Sequence, residues 1–434
     1  MAGTLLRQVR LLDPSSLTDQ VTDVLIADGV LQAIAPNLPN PANADAVDTL
    51  DATGKMLAPG LVDLYSHSSE PGNESRETLA DLMAGAIAGG FTRVGILPNT
   101  IPALDTPGAL RHLLDRGHSS TAPQPYLMPW AALTHGTKGE QMTELAELAQ
   151  VRSQALAGFA DGHPISNPVL LRRLLEYAGP LGCPIALWPC DQALAGNGVM
   201  RDGAIALMGG LLSVPVAAET SALAGLLELV REIGTPIHLM RISTARSVEL
   251  ITQAKADGLP ITASTTWLHL LFSTQDALSY DPNLRLEPPL GTPADQIALI
   301  NGVKTGTIEA IAIEHSPYTY EEKTVAFQDA PPGAIGLELA FAALWQRFVA
   351  SGEWTPLELL QAMSLRPAQH LGLNLPKLNP GNPIEAFLFD PNQTWIVEGS
   401  TLRSPAANTP FMGQSLQGQV IRTWIGKQAT TYLP

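Results

Sequence analysis

Hydrophobic and polar positions alternate near both ends of the chain and gather into short apolar runs between them. In DVLIADGVLQAIAP (Asp23 to Pro36), Val24, Ile26, Val30 and Ile34 are spaced by even steps around Asp28-Gly29. Asp-Gly supplies the positive-φ positions of a tight turn, so the segment predicts a β-hairpin. The stretches NPIEAFLFDPNQTWIVEG and GQVIRTWIGKQ near the C-terminus predict strands divided by turn residues. Two strand-rich ends around a long middle predict a small β-sandwich domain formed from both chain termini.

In the middle, short apolar strands alternate with helical stretches. The strands are expected at 60–65, 91–97, 124–133, 156–161, 183–188, 235–240, 259–265 and 309–314. Helices fit between most of them, as in RETLADLMAGAIAGG and AETSALAGLLELVREIG. Eight such βα units predict an α/β fold, a (β/α)8 TIM-like barrel, with its site where the strands end. The expected division is 1–57 for the N-terminal part of the sandwich, 58–377 for the barrel and 378–434 for the C-terminal part.

Composition narrows the class. The chain has 434 residues, 45% apolar and 15% charged, which fits a globular protein rather than a disordered one. The best candidate membrane span, Gly203 to Ala218, is short and broken by Gly209, Gly210 and Pro215. The start, MAGTLLRQVRLLDPSS, lacks the apolar core of a signal peptide. Cys183 and Cys190 have no metal-finger spacing, so a reducing cytoplasm is the expected location. The formal net charge is −16 without a basic run, which argues against nucleic-acid binding and reads as solubility.

The strand ends carry the motifs. Ala58-Pro59-Gly60-Leu61-Val62-Asp63-Leu64-Tyr65-Ser66-His67-Ser68-Ser69-Glu70-Pro71-Gly72 closes the first, and Leu97-Pro98-Asn99-Thr100 with Pro102 and Asp105 the second. There follow Ala132-Leu133-Thr134, Phe159-Ala160-Asp161-Gly162, Pro288-Pro289-Leu290, Glu314-His315-Ser316-Pro317 with Glu321-Glu322-Lys323, Pro367-Ala368 with Leu371-Gly372-Leu373, and Asn408-Thr409-Pro410-Phe411 with Gly413. This ordered set, spread nearly end to end, resembles the dihydroorotase branch of the amidohydrolase superfamily.

The resemblance implies reversible closure of a cyclic amide. In that chemistry zinc activates water and polarises the amide carbonyl, and a last-strand aspartate moves the proton. It also implies a ligand set, and that set is altered here. His67 and Asp161 remain at metal positions, whereas Tyr65, Trp188 and Arg241 stand where the family has histidines. Glu314 replaces the catalytic aspartate, and Ser69 replaces an arginine that grips substrate. Asn99, a substrate contact in the family, is retained. Tryptophan offers a metal no lone pair, and arginine stays protonated and repels a dication. A glutamate in place of aspartate displaces the carboxylate by one methylene, and small misplacements cost orders of magnitude in rate. The expectation is a dihydroorotase-like protein of pyrimidine biosynthesis that is catalytically impaired or inactive. Its cofactor is none, or zinc if the site was rebuilt. Arg241 is expected to salt-bridge Asp161, Glu314 or both, standing in for the metal.

Some family members that lack the ligands are structural partners of aspartate carbamoyltransferase, and that partner is implied here, as is a homodimer. Two alternatives stand beside this reading: an active cyclic-amide hydrolase with a rebuilt metal site, and a metal-free ligand-binding protein. Plainer roles are expected of the remaining candidates. His163 and Lys138 read as loop residues, His238 as a hydrogen-bonded core histidine, and His112, His118 and His370 as helix or helix-end residues. His269 and His315 could rescue a weak metal site. Cys190 reads as an inert thiol with Arg241 its nearest candidate cation. Trp188 and Trp267 read as filler for the space vacated by metal and substrate.

Overall fold

The computed structural model describes residues 3–40, 47–117, 124–151 and 156–431. His118 lies outside the described residues. The first strands, β1 (Gly3–Asp13), β2 (Thr18–Ala27), β3 (Val30–Ala35), β4 (Val47–Asp51) and β5 (Met56–Pro59), lie in one sheet. Asp28 (φ 54°) and Gly29 (φ 77°) turn β2 into β3 in the left-handed conformation that an Asp-Gly hairpin requires.

Eight parallel strands follow: β6 (Leu61–Ser66), β7 (Phe91–Ile96), β8 (Tyr126–Ala131), β9 (Gly158–Phe159), β10 (Ala186–Leu187) and, after a two-strand ribbon of β11 (Met200–Arg201) and β12 (Ser213–Val214), β13 (Ile237–Leu239), β14 (Ile261–Thr266) and β15 (Ala310–Ala312). Phe159 N donates to Pro184 O at 2.8 Å and joins the two halves of the wall. Glu314 N donates to Tyr65 O at 3.0 Å and His67 N to His315 O at 2.8 Å, closing the barrel. The chain returns through β16 (Glu385–Ile396), β17 (Ser415–Ile425) and β18 (Gln428–Thr431). These extend the first sheet in the order β18-β17-β16-β5-β1-β2-β3, so one sheet holds strands from both ends of the chain.

Several strands are shorter than their apolar runs. The regular ladders of β13 and β15 end at Leu239 and Ala312, short of the runs expected to 240 and 314, although Met240 N still donates to Leu187 O and Glu314 N to Tyr65 O, and the backbone turns left-handed at Arg241 (φ 57°) and Glu314 (φ 53°). The helices bury their apolar stripes on the strands. Leu79–Ala88 begins with a reciprocal Thr78–Asp81 capping box and buries Leu82, Met83, Ala86 and Ile87. Val216–Ile233 stops at Gly234 (φ 81°). At Gly95 an added Cβ would lie 2.0 Å from Leu64 O, so only glycine lets β6 and β7 approach there. Among the described residues, no helix is long and apolar enough to cross a membrane.

Candidate active site at the barrel mouth

The strand ends converge on a cavity of about 170 Å³ whose walls include His67, Asn99, Trp188, Arg241, Glu287 and Glu314. Arg241 is one of these lining residues and is 4% exposed. Its Nε lies 2.5 Å from Glu314 Oε1. The N–H does not point at that oxygen, so the contact acts as an ion pair rather than an aligned hydrogen bond. Nη1 donates to Gly162 O at 2.9 Å, Nη2 stands 3.5 Å from His67 Nε2, and the guanidinium lies 4.5 Å from the centre of the Trp188 ring. Both Arg241 and Glu314 stand at left-handed backbone positions (φ 57° and 53°).

The expected Arg241–Glu314 pair is present, and the Asp161 alternative is not. Asp161 is held by Thr134, whose N–H donates at 3.0 Å and whose hydroxyl donates at 2.5 Å. Burial pushes the Asp161 carboxyl up to about 6 against those bonds. Burial likewise pushes Glu314 up to about 7, with Arg241 opposing it. His67 is pushed down to about 3 by burial and then by the Arg241 charge. Its Nδ1 pairs with Asn99 Oδ1 at 3.1 Å, which leaves Nε2 as a neutral acceptor facing Arg241. The structure therefore brings His67, Asn99, Trp188, Arg241 and Glu314 together, while Asp161 belongs to the Thr134 wall.

Zinc needs convergent lone pairs at about 2.0–2.2 Å. The buried Tyr65 phenol is raised well above its ordinary value by burial and is engaged by Ser264 Oγ at 2.8 Å and by the Arg241 N–H at 3.1 Å. Trp188 offers only its ring face. Arg241 places a permanent cation in the same space. Among the described residues no three His, Cys, Asp or Glu side chains gather as a ligand set. The residues present do not fit the metal that the resemblance implies.

The two histidines that could have rescued such a site are committed elsewhere. His269 Nδ1 pairs with Thr266 Oγ1 at 2.7 Å and Nε2 with Pro288 O at 3.2 Å. His315 Nε2 lies 3.0 Å from the buried Glu77 carboxylate, and its Nδ1 accepts from Gly336 N at 3.1 Å. His163 lines the cavity after the Gly162 turn, and His238 is a buried histidine bonded at both nitrogens.

Two expectations need correction. Trp267 is not mouth filler: it is fully buried in the main core and stacks on Phe411 at 5.6 Å. The cation that favours a Cys190 thiolate is Arg201, not Arg241. Burial and then Glu219 outweigh it and push the thiol up to about 12. Alkylation of Cys190 by iodoacetamide at pH 7.5 is expected to run at least about tenfold slower than that of a free cysteine with its ordinary pKa near 8.5. Mass-spectrometric labelling rates check this, and a rate equal to free cysteine would refute it.

Arg76 and Glu287 escaped the sequence reading. Arg76 lines the cavity, pairs with Glu322 (Nε–Oε2 2.9 Å) and lies 4.7 Å from the centre of the Tyr318 ring. Its only signal was a basic residue shortly after Ser69. Glu287 had none beyond its place before Pro288-Pro289.

Comparison with known proteins identifies the family. Residues 54–247 match a family model described as dihydro-orotase-like. A probable dihydroorotase-like protein of Synechocystis sp. is 43% identical over 442 residues, covering 95% of this chain and 98% of its own. The chain belongs to the dihydroorotase-like family. A dihydroorotase of Pelotomaculum thermopropionicum is 36% identical over 414 residues, covering 95% of each chain. The L-hydantoinase of Arthrobacter aurescens superimposes with a TM-score of 0.84 over 100% of this dihydroorotase-like chain and 98% of its own. At 22% identity that likeness establishes the shared fold, a barrel with a β-sandwich, and nothing more.

Proposed function

We propose that this dihydroorotase-like protein does not hydrolyse cyclic amides and serves pyrimidine biosynthesis as a cytoplasmic, homodimeric structural partner of aspartate carbamoyltransferase. One observation carries the loss of hydrolysis: the Arg241 guanidinium lies between Glu314, His67 and the Gly162 carbonyl, over Trp188, in the space that the family resemblance assigns to metal. A cation there neutralises a buried carboxylate and opposes a dication. The partner follows from the resemblance, in which some members without the ligand set take that role.

Two other readings each have an observation in their favour. Glu314, raised to about 7, suits a proton shuttle at neutral pH and favours an active hydrolase with a rebuilt site. The cavity itself favours a metal-free ligand-binding protein. Zinc content of purified protein after incubation with zinc, with dihydroorotate turnover in both directions, separates them. The expected result is zinc well below one per chain and turnover no faster than the blank. Stoichiometric zinc with turnover overturns the proposal. Co-sedimentation with the same organism's aspartate carbamoyltransferase tests the partnership: a stable complex is expected, and separate sedimentation rejects that half.

A further inference from the structure

Gly203 to Ala218, the most membrane-like stretch of the sequence, holds a helix (Ala204–Gly209) that links β11 to β12, and then β12 itself. This helix is reversed relative to those that bury their apolar stripes on the barrel strands. It buries only Ala206, while Leu207 is 84% exposed and Met208 76%. Leu212, just past the left-handed turn at Gly210, is 60% exposed, although its carbonyl accepts from Val199 N at 2.9 Å and so fixes the backbone. Tyr280, also exposed, joins the same patch: its hydroxyl donates to Gly209 O at 2.8 Å. Gly209 is packed closely on Leu278, whose Cδ2 would lie 3.1 Å from an added Cβ.

Leu207, Met208 and Leu212 together expose on the order of 400 Å², the size of a functional apolar patch and about half of the roughly 800 Å² that each side of a stable interface covers. Charge decides what covers it. From Gly203 to Ala218 the chain carries no Asp, Glu, Lys, Arg or His, although its formal net charge is −16. A basic partner would be drawn to this chain by its carboxylates, and an anionic membrane would need lysines or arginines at the contact. A face cleared of charge suits a partner that is itself acidic, because like charges set opposite each other repel. A second copy of this chain is such a partner. Two-fold pairing sets the same patch against itself, and flexible methionine adapts to such a contact.

We propose that the face formed by Leu207, Met208, Leu212 and Tyr280 is the two-fold interface on which a second copy of this chain docks. This rests on the homodimer proposed above and assigns its contact surface; it does not depend on whether the mouth is active. The exposed acids Asp202, before the helix, and Asp276, before Tyr280, border the patch along the chain. Pairing brings acidic rims together, so association tightens as salt screens them, opposite to a complex drawn together by unlike charges.

Sedimentation velocity of the full-length chain alone, at micromolar concentration and in about 0.05 M and about 0.5 M sodium chloride, tests this. The wild type is expected to be a dimer that is tighter at the higher salt. Leu207→Asp, and separately the double variant Leu207→Ser/Met208→Ser, are each expected to raise the dimer dissociation constant at least about tenfold, as loss of central apolar anchors does. Circular dichroism establishes that each variant is folded, and the serine pair keeps the test open if the aspartate variant is not. A monomeric wild type overturns this inference together with the homodimer. A dimer equally tight in the folded variants overturns the surface alone and leaves the homodimer standing. A dimer that loosens with salt overturns the like-charge argument and the surface with it. A monomer that floats with anionic lipid vesicles, or sediments with carbamoyltransferase only while Leu207 and Met208 are intact, gives the face to that occupant and overturns the proposal.

Discussion

Replacing Arg241 with leucine is expected to destabilise the fold by about 3–5 kcal/mol at pH 8 and by markedly less at pH 6. Removing one member of a buried ion pair leaves the other charged and unsolvated, which sets the upper figure. Glu314 modifies it. Its carboxyl is already raised to about 7 with Arg241 in place, because burial outweighs the cation. Without Arg241 the value rises further. At pH 6 the carboxyl then takes up a proton and sheds its charge, so what is lost is the bond to Gly162 O and the packing on Trp188. At pH 8 the charge must be either retained or neutralised at about 1.4 kcal/mol per pKa unit. The double variant Arg241→Leu/Glu314→Leu should recover most of the loss, because an apolar pair of similar volume often matches a buried salt bridge. Urea midpoints for the three proteins at both pH values test this. Equal losses at pH 6 and pH 8, or a double variant no better than the single one, would show that the pair is not what the arginine secures.

The sequence made the architecture legible because its signals are local. Asp28-Gly29 needs no tertiary context to specify a hairpin, and the eight apolar runs mark the barrel strands through their length and their flanking breakers. Which side chains meet at the mouth is partly a local matter too. Positions 65, 67, 161, 188, 241 and 314 all lie at strand ends, and strand ends converge in a barrel. The choice between partners is not local. Arg241 could have reached either carboxylate, and Glu314 was selected because Thr134, from a different strand end, already holds both Asp161 oxygens. The same limit explains Cys190, whose neighbouring cation, Arg201, comes from the ribbon after β10. Trp267 begins the short helix after β14, and its direction depends on packing against Phe411, 144 positions along the chain. Arg76 at the cavity is held by Glu322 and the Tyr318 ring, both more than 240 positions along the chain.

The pH profile of stability follows from two opposed sets of buried groups. Burial raises Asp63, Asp161, Glu314 and Glu338 to about 7, 6, 7 and 7. Burial also lowers His67, His269 and His370 to about 3, 4 and 4, and His238 well below its ordinary value. For a raised carboxyl, the folded state holds a proton that the unfolded chain has released. Its favourable contribution is complete below the unfolded value near 4 and is lost as pH rises through the folded value. For a lowered histidine, the unfolded chain holds the extra proton, so stability is lost as pH falls from about 6.5 toward the folded value. Between about pH 4.5 and 6 the two sets titrate against each other and the slopes nearly cancel. Above about 6.5 the unfolded histidines give up their remaining protons by about pH 7.5, and Lys323, lowered to about 7 chiefly by burial, adds stability as pH rises through that value while the carboxyls lose theirs. Stability should therefore form a broad plateau that stays within about 1 kcal/mol from pH 5 to 8. Glu338→Gln should tilt that plateau upward between pH 6 and 8, because it removes one carboxyl whose contribution is lost there, while Glu338 Oε1 accepts from both Arg403 N and Ser404 N and the amide oxygen can keep those bonds. Urea midpoints taken from pH 4 to 9 would show the pattern. Stability that rises steadily from pH 6 to 8 would mean that these carboxyls are ionised in the folded protein and that the barrel accommodates their charge.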